Sequence, residues 1–205
     1  MKQDQKSEAT RRKILQAGQS LVLAKGYSAV GLKQILDASG VPKGSFYYYF
    51  SSKEAFGCEM LEAYLHDYLS AFDKVTAQGS PARPASERMM AYFAAAIPED
   101  LSVSMANRCL VVKLSAEISD LSEDMRAILD TGVDTLLARL KDLLNQGTAD
   151  GSIKLELSPQ ETAPLLYGQW VGAAILAKLS RSPAPLRAVL ADTRRRYMLP
   201  LTAVG

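Results

Sequence analysis

Apolar residues recur every three to four positions along nearly the whole chain, and this spacing constrains the fold more than any other feature. In the segment 8–25, for example, Ile14 and Leu21 fall on one face of a helix. The same pattern returns near 32–39, 53–77, 85–97, 107–118, 122–146, 158–181 and 186–199. No run of residues alternates long enough to form a sheet, since KLEL at 154–157 is too short. The sequence therefore predicts an all-α fold.

Two helix starts carry the residues of a capping box, in which a hydroxyl and a carboxylate satisfy the first free amides of a helix. Ser51 is followed three residues later by Glu54, which predicts a box at the start of the fourth helix. Ser158 is followed by Glu161 at the same spacing, with a proline between them at the first helical position. Both helices are therefore expected to begin at these serines.

Length and composition place the chain among globular proteins. It has 205 residues, of which 48% are hydrophobic and 22% charged, so it can bury a core and is not expected to be disordered. Its longest uncharged stretch, residues 162–177, is shorter than the roughly 20 apolar residues that span a bilayer. The N-terminus carries no apolar signal segment. We therefore expect a cytoplasmic protein without a membrane partner, whose two cysteines are reduced.

Metal, cofactor and catalytic sites find little support in the sequence. His66 is the only histidine, which excludes zinc sites that use two or three histidines. The glycine-rich nucleotide loops and the GxSxG nucleophile motif are missing. A Ser-His-Asp triad would have to use His66, which lies in a helical segment. The expectation is no metal, no cofactor and no enzymatic activity.

Positive charge is concentrated at the N-terminal end. Residues 1–55 hold nine Lys and Arg against four Asp and Glu, a net charge of +5. The other 150 residues hold 15 bases against 18 acids, a net charge of −3. A basic module suits a polyanion such as DNA, because phosphate contacts supply much of the affinity. The charge alone is equally compatible with a solvated basic surface.

Two short helices separated by Gly40 predict a helix-turn-helix, in which the first residues of the second helix enter the major groove of DNA. The second helix opens with Lys43, Gly44 and Ser45. Lys43 can pair with phosphate or guanine, and Ser45 can bond a phosphate or a base edge. Gly44 lets the backbone approach closely.

Three consecutive tyrosines follow, and they cannot all be buried. Tyr47, Tyr48 and Tyr49 point to successive faces of one helical turn, so at least one must face outward. Phe46 and Phe50 are expected to pack inside the small domain. An outward tyrosine beside a basic turn is a candidate DNA contact.

The stretch 31–55, GLKQILDASGVPKGSFYYYFSSKEA, resembles the DNA-binding signature of the TetR family of bacterial repressors. The shared elements are Ile35, the ASGV turn, the KGS and YYYF runs and the final SKE. The resemblance implies a nine-helix fold, with a DNA-binding domain at 1–52 and a sensing and dimerisation domain at 53–205. It also implies a homodimer that binds double-stranded DNA at an inverted-repeat operator.

The resemblance further implies individual DNA contacts. The residues expected at phosphates are Tyr47, Tyr49 and Lys53, and those expected at base edges are Lys43, Ser45 and Tyr48, with Gly44 allowing close approach. One position departs from the family. Gly31 stands where the family usually has Thr or Ser, so one hydroxyl–phosphate contact is missing or is supplied by Lys33.

The C-terminal part carries two further expectations. Small residues in the segment LLYGQWVGAAILAKLS allow close helix approach and, with the family topology, favour a dimer interface over an ordinary core helix. The stretch 108–129, RCLVVKLSAEISDLSEDMRAIL, resembles a narrower NemR-type group, whose members respond to N-ethylmaleimide, related electrophiles or reactive chlorine. In that group the cysteine at the position of Cys109 is the one expected to react.

The residues around Cys109 fit this chemistry. Cys109 is predicted in the first turn of a helix, where backbone amides stabilise a thiolate. Arg108 is adjacent and Lys113 lies about one turn on, so both could stabilise the same charge. Lys178 is either a residue that orients the sensor or an ordinary lysine that snorkels to solvent. A buried, inert Cys109 is the alternative from the residues alone.

Cys58 gives the contrasting environment, since Glu59 and Glu62 flank it and negative charge raises a thiol pKa. We expect it to be structural.

Two other hypotheses stay open for the whole protein. A reversible apolar ligand could replace the cysteine switch as inducer, or the chain could be a small-molecule detoxifying enzyme.

Overall fold

Nine α-helices and one turn of 3-10 helix make up the described structure. The computed structural model describes residues 2–77, 79, 83–97 and 110–199. The helices are α1 (Lys2–Lys25), α2 (Leu32–Ser39), α3 (Phe46–Tyr49), α4 (Lys53–Thr76), α5 (Ala85–Ala95), α6 (Leu110–Leu121), α7 (Glu123–Ala149), α8 (Pro159–Ser180) and α9 (Ala184–Tyr197), with the 3-10 turn at Lys43–Ser45. An isolated bridge joins Ile153 to Met198, and the described residues form no strand. The predicted all-α fold is confirmed.

The observed helix bounds differ most from the predicted ones at the start of α1 and at the ends of α6 and α7, where α7 ends at Ala149 rather than at residue 146. α1 begins at Lys2 rather than near residue 8, because residues 2–7 contain no glycine or proline that would stop a helix. α6 ends at Leu121 rather than at residue 118. Within the described residues, no helix is long and apolar enough to cross a membrane.

Of the two predicted capping boxes, one is confirmed and one is wrong. Ser158 accepts a hydrogen bond from the Glu161 amide, and the Glu161 carboxylate accepts one from the Ser158 amide. At the start of α4, however, Ser52 rather than Ser51 caps the helix, through a 2.9 Å bond from the Ala55 amide to its hydroxyl. Glu54 binds a distant partner instead.

Packing divides the described residues into two compact units. Unit 1 draws on residues 1–68 and 109–132, and unit 2 draws on residues 69–108 and 133–205. α4 and α7 each contribute residues to both units. The functional boundary predicted at residue 52 is a different kind of division and stays a prediction.

Unit 1 has one hydrophobic core, which joins the N-terminal helices to α4, α6 and the start of α7. Three phenylalanines form its centre: the rings of Phe46 and Phe50 lie 5.3 Å apart, and the ring of Phe56 on α4 lies 5.2 Å from Phe50 and 5.7 Å from Phe46. α1 approaches this cluster closely, because a Cβ atom on Gly18 would lie 2.2 Å from Phe56 Cζ. Leu110, Leu114 and Ile118 of α6 belong to the same core.

Unit 2 is organised around α5, α7, α8 and α9. Trp170 of α8 stacks on Phe93 of α5 with 4.4 Å between ring centroids. Arg88 of α5 is buried and uses its guanidinium to bind the carbonyl of Thr76 and the side-chain oxygen of Gln146, each at 2.8 Å. Such a buried cation is tolerated because its donors are satisfied.

Candidate DNA-binding and sensor sites

α2, the turn at Gly40 and α3 form a helix-turn-helix, which we call the reading head. Gly40 ends α2 in the left-handed conformation, with φ of 65°, and the Val41 amide then bonds the Leu36 carbonyl at 3.2 Å. This glycine-based cap satisfies the last carbonyls of α2 and redirects the chain into the 3-10 turn that leads to α3. The turn sets the geometry of the two helices.

One face of α3 packs inward and the other faces solvent. Phe46 and Phe50 are buried, as predicted, whereas Tyr47 and Tyr48 are 67% and 77% exposed. Tyr49 is half-buried and its ring meets that of Tyr48 edge-on, with 4.9 Å between centroids. The exposed tyrosine hydroxyls are therefore available to a partner outside this chain.

The polar residues predicted near α3 are accessible where the structure describes them. Lys33 is exposed on α2, and Ser45 is half-buried at the end of the 3-10 turn. Apart from its chain neighbours, no atom of the described residues lies within 4 Å of a Cβ atom added to Gly44. Packing within this chain therefore does not explain why residue 44 is glycine. The backbone of Lys43 is described, but its side chain lies outside the described part of the structure.

Gly31 begins α2 without a side-chain hydroxyl. Its amide donates a 3.3 Å hydrogen bond to the Gln34 side-chain oxygen, so Gln34 satisfies one of the free amides at this helix start. A Cβ atom on Gly31 would also meet nothing within 4 Å. The absent hydroxyl is thus not imposed by crowding.

Lys53 makes contacts within the chain that sequence reasoning missed. Its ammonium donates a 3.1 Å hydrogen bond to the Tyr27 carbonyl and lies 4.6 Å from the centre of the Tyr27 ring. Burial lowers the pKa of Lys53, and the negative charge of Glu117 opposes that shift. The ammonium has further N–H donors, so the same group can bind a phosphate while it keeps Tyr27.

Tyr27 connects the turn after α1 to the start of α4. Its hydroxyl donates a 2.7 Å hydrogen bond to the Lys53 carbonyl. Burial, reinforced by the charges at Cys58, Glu54 and Glu117, raises the pKa of Tyr27 to about 12. The hydroxyl therefore stays protonated and remains a donor at neutral pH.

The predicted sensor residues fall partly outside the described structure. Cys109 and Arg108 lie outside the described residues, and Cys109 directly precedes Leu110, the first described residue of α6. Lys113 is half-buried on α6 in unit 1, where its charge helps to lower the pKa of Glu117. Lys178 is half-buried in the last turn of α8 in unit 2.

Cys58 is a free, half-buried thiol on α4 that packs against the core of unit 1. Burial raises its pKa, and the negative charges of Asp124, Glu54 and Glu62 raise it further. This upward direction is the predicted one, but of the two predicted neighbours only Glu62 contributes, and Glu59 pairs with Arg11. Asp124 could not be foreseen, because it reaches Cys58 from a helix far along the sequence.

Unit 2 contains an open cleft of about 450 Å³. Its lining is mostly polar and carries both signs of charge: Lys154, Glu156, Leu157, Thr162, Leu165, Gln169, Arg196 and Tyr197. Met60, Met89 and Phe93 are buried in the hydrophobic cores and do not line this cleft. No cluster of metal-ligating side chains occurs among the described residues.

The fold and the exposed face of α3 define a DNA-binding protein of the helix-turn-helix class. Residues 14–56 match the family model described as "Bacterial regulatory proteins, tetR family", and residues 85–192 match "Tetracyclin repressor-like, C-terminal domain". The chain belongs to the TetR family of transcriptional regulators, and within that family it is of the NemR type.

Individual relatives agree with this assignment. The chain is 37% identical to the transcriptional repressor NemR of Escherichia coli over 93% of its own length and 95% of that protein. The crystal structure of reduced E. coli NemR superimposes with a TM-score of 0.85 at 38% identity, covering 94% of this chain and all of that one. Another TetR/AcrR-family regulator gives a TM-score of 0.82 at 43% identity, covering 92% of this chain and 98% of that one.

Proposed function

We propose that this chain represses transcription as a homodimer on an inverted-repeat DNA operator, and that modification of Cys109 by an electrophile or oxidant releases it. The observation that carries the DNA-binding role is the exposure of Tyr47 and Tyr48 on α3. Adjacent, largely exposed aromatic side chains indicate a surface that a partner covers. Gly44, with open space at its Cβ position, adds room for a close backbone approach.

The polarity of this surface fits DNA rather than another protein. The net charge of +5 in residues 1–55 would draw the reading head to phosphates. In this proposal some side chains bind phosphates and set the register, whereas others read base edges. The phosphate ligands are Lys33, Tyr47, Tyr49 and Lys53, and the base contacts are Lys43, Ser45 and Tyr48.

The homodimer would form through the exposed face of α8. Leu165, Leu176 and Leu179 are 57%, 57% and 76% exposed, and they lie on one side of this helix. Gly168 and Gly172 lie between them and have open space at their Cβ positions. A face of leucines with glycines at its centre lets a second copy of α8 approach closely. Covering it would remove an apolar surface that is unusual on a monomer.

The release step is supported by the similar repressor and by the position of α6. The E. coli relative is a repressor that was solved in a reduced form. In this chain Cys109 directly precedes α6, and α6 shares the core of unit 1 with Phe46 and Phe50 of the reading head. Thiolate formation, aided by Arg108 and Lys113, would make Cys109 the faster-reacting thiol.

A reversible ligand remains the alternative inducer, and the cleft in unit 2 is the observation that favours it. Its lining includes Lys154, Glu156 and Arg196. A ligand bound there would be polar or amphipathic rather than purely apolar. Release of DNA by such a compound from a protein without Cys109 would support this alternative.

Binding of the purified protein to fluorescent DNA from its own promoter region tests the DNA-binding role. Lys33→Gln is expected to reduce the salt dependence of binding by roughly one counterion per reading head. Tyr48→Phe is expected to relax the preference for operator over unrelated DNA, because it removes a proposed base contact.

Lys74→Gln provides the matched control, since it removes an exposed lysine from unit 2 that does not line the cleft. Its salt dependence is expected to equal that of the wild type. Equal salt slopes for Lys33→Gln and wild type would remove Lys33 from the interface. Failure of the wild type to prefer promoter DNA would contradict the proposed function.

A further inference from the structure

A carboxylate on α6 holds the turn that follows α1. One oxygen of Glu117 accepts a 2.6 Å hydrogen bond from the Ser28 amide, and the other accepts a 3.1 Å bond from the Tyr27 amide. In the sequence, Glu117 lies 90 residues after Tyr27 and 89 residues after Ser28. The contact therefore joins α6 directly to the chain that enters the reading head.

The turn is shaped to accept this carboxylate. Gly26 has φ of +92°, a conformation that other residues rarely adopt, and a Cβ atom there would lie 3.1 Å from a Glu117 oxygen. Burial raises the pKa of Glu117, but the hydrogen bonds from Ser28 and Tyr27 and the charge of Lys113 outweigh it, so the net shift is downward. Glu117 is thus ionised at neutral pH and acts as an acceptor for both amides.

The same turn holds a proposed DNA ligand. The Tyr27 carbonyl accepts from the Lys53 ammonium, and the Tyr27 hydroxyl donates to the Lys53 carbonyl. Tyr27 is therefore fixed to Glu117 by its amide and to Lys53 by its two oxygens. A second link runs in parallel, because Ser122, the residue between α6 and α7, donates a 2.5 Å hydrogen bond to Glu54 beside Lys53.

We infer that Glu117 is a positioning residue for operator binding: its carboxylate fixes the angle between α6 and the reading head, and thereby the place of Lys53 at the DNA backbone. This inference rests on the proposed function, since it assigns Glu117 a role in the same DNA-binding act. Glu117 does not touch DNA itself. It is the contact through which a change at the start of α6, beside Cys109, reaches the reading head.

The spacing of the two half-sites provides the test, because a head held at a fixed angle tolerates only one spacing. Operator DNA with half-sites moved apart by one and two base pairs is titrated with wild type, Glu117→Ala, Glu117→Gln and Asp120→Asn. Asp120 is an exposed acid on the same helix, so its variant controls for lost negative charge. A thermal melt of each variant reports whether the fold is kept.

Glu117→Ala is expected to bind the natural operator about tenfold more weakly, which corresponds to roughly 1.4 kcal/mol. It is also expected to bind the three spacings with similar affinities, whereas wild type and Asp120→Asn prefer one. Glu117→Gln keeps one acceptor oxygen and should fall between them. These effects should appear with cooperative melts like that of the wild type.

Two results would overturn this role. The first is a Glu117→Ala protein that melts normally and keeps the affinity and spacing preference of the wild type. The second is loss of the cooperative melt in both Glu117 variants, which would make the residue a part of the core structure only. If the wild type itself does not prefer promoter DNA, the proposed function fails together with this inference, so the two failures are distinguishable.

Discussion

Two glycines of unit 1 are expected to have different roles, Gly44 in DNA binding and Gly18 in core packing, and alanine substitutions distinguish the two roles. Apart from its chain neighbours, Gly44 has no atom of the described residues within 4 Å of its Cβ position, whereas Gly18 has Phe56 Cζ at 2.2 Å. Phe56 is fully buried and its ring contacts those of Phe46 and Phe50, so a shift of Phe56 would disturb their packing. We expect Gly44→Ala to leave the free energy of unfolding within about 0.5 kcal/mol of the wild type.

The same Gly44→Ala variant is expected to bind the operator about tenfold more weakly, because its methyl group occupies the space proposed for the DNA backbone. Gly18→Ala, the comparison, is expected to lose about 1–2 kcal/mol of stability through overpacking. Chemical denaturation and DNA titration measure the two properties. A stable Gly44→Ala protein with unchanged DNA affinity would show that the DNA backbone does not approach Gly44.

The reactivity of Cys58 provides a prediction about pH. In a Cys109→Ser protein Cys58 is the only thiol, since the chain has two cysteines. Burial and the charges of Asp124, Glu54 and Glu62 raise its pKa, so the thiolate fraction at neutral pH is below that of an ordinary cysteine. Alkylation by N-ethylmaleimide should be slow at pH 7 and should keep rising beyond pH ~8.5, the ordinary thiol value.

Asp124→Asn should shift this rate profile to lower pH, because loss of a negative charge favours the thiolate. The rates can be followed by mass spectrometry between about pH 6 and pH 10. A plateau reached below pH ~8.5 without the Asp124 change would show that the thiol is not in the environment described.

Among the helices, the exposed face of α8 allows the proposed dimer interface to be tested by a single substitution. Leu179→Glu introduces a charge where the leucine is 76% exposed, so the isolated chain should fold normally. In a dimer the two charges would be buried or would face each other, and we expect the dissociation constant to rise by at least about tenfold. Light scattering after size exclusion measures the change.

Leu121→Glu is the matched control, because Leu121 is 52% exposed but lies at the end of α6 in unit 1. It should keep the oligomeric state of the wild type. If the Leu179→Glu and Leu121→Glu proteins form oligomers of the same mass in solution, this face of α8 is not the dimer interface.

Element boundaries could be predicted where the determining residues are neighbours in sequence. The box at Ser158 and Glu161 needs only a serine, a glutamate and their spacing, and it was predicted correctly. The box at Ser51 failed because Glu54 is bound by Ser122, 68 residues further on, which leaves Ser52 as the cap. No local pattern contains that competition.

At the scale of the whole molecule, the local signature of the reading head was predictable and its attachment was not. The exposed and buried sides of α3 follow from helical geometry, which assigned Phe46 and Phe50 to the core. The bonds from Glu117 to Tyr27 and Ser28 depend on the tertiary fold that brings α6 to the end of α1. A sequence pattern therefore identifies a DNA-binding protein but not the contact that we propose positions its reading head.

Modification of Cys109 is proposed to release the protein from its operator. Wild type and Cys109→Ser are each bound to promoter DNA and treated with N-ethylmaleimide or hypochlorite, and the bound fraction is measured by fluorescence anisotropy. We expect the wild type to be released and Cys109→Ser to stay bound. Release of both proteins, or of neither, would contradict a switch at Cys109.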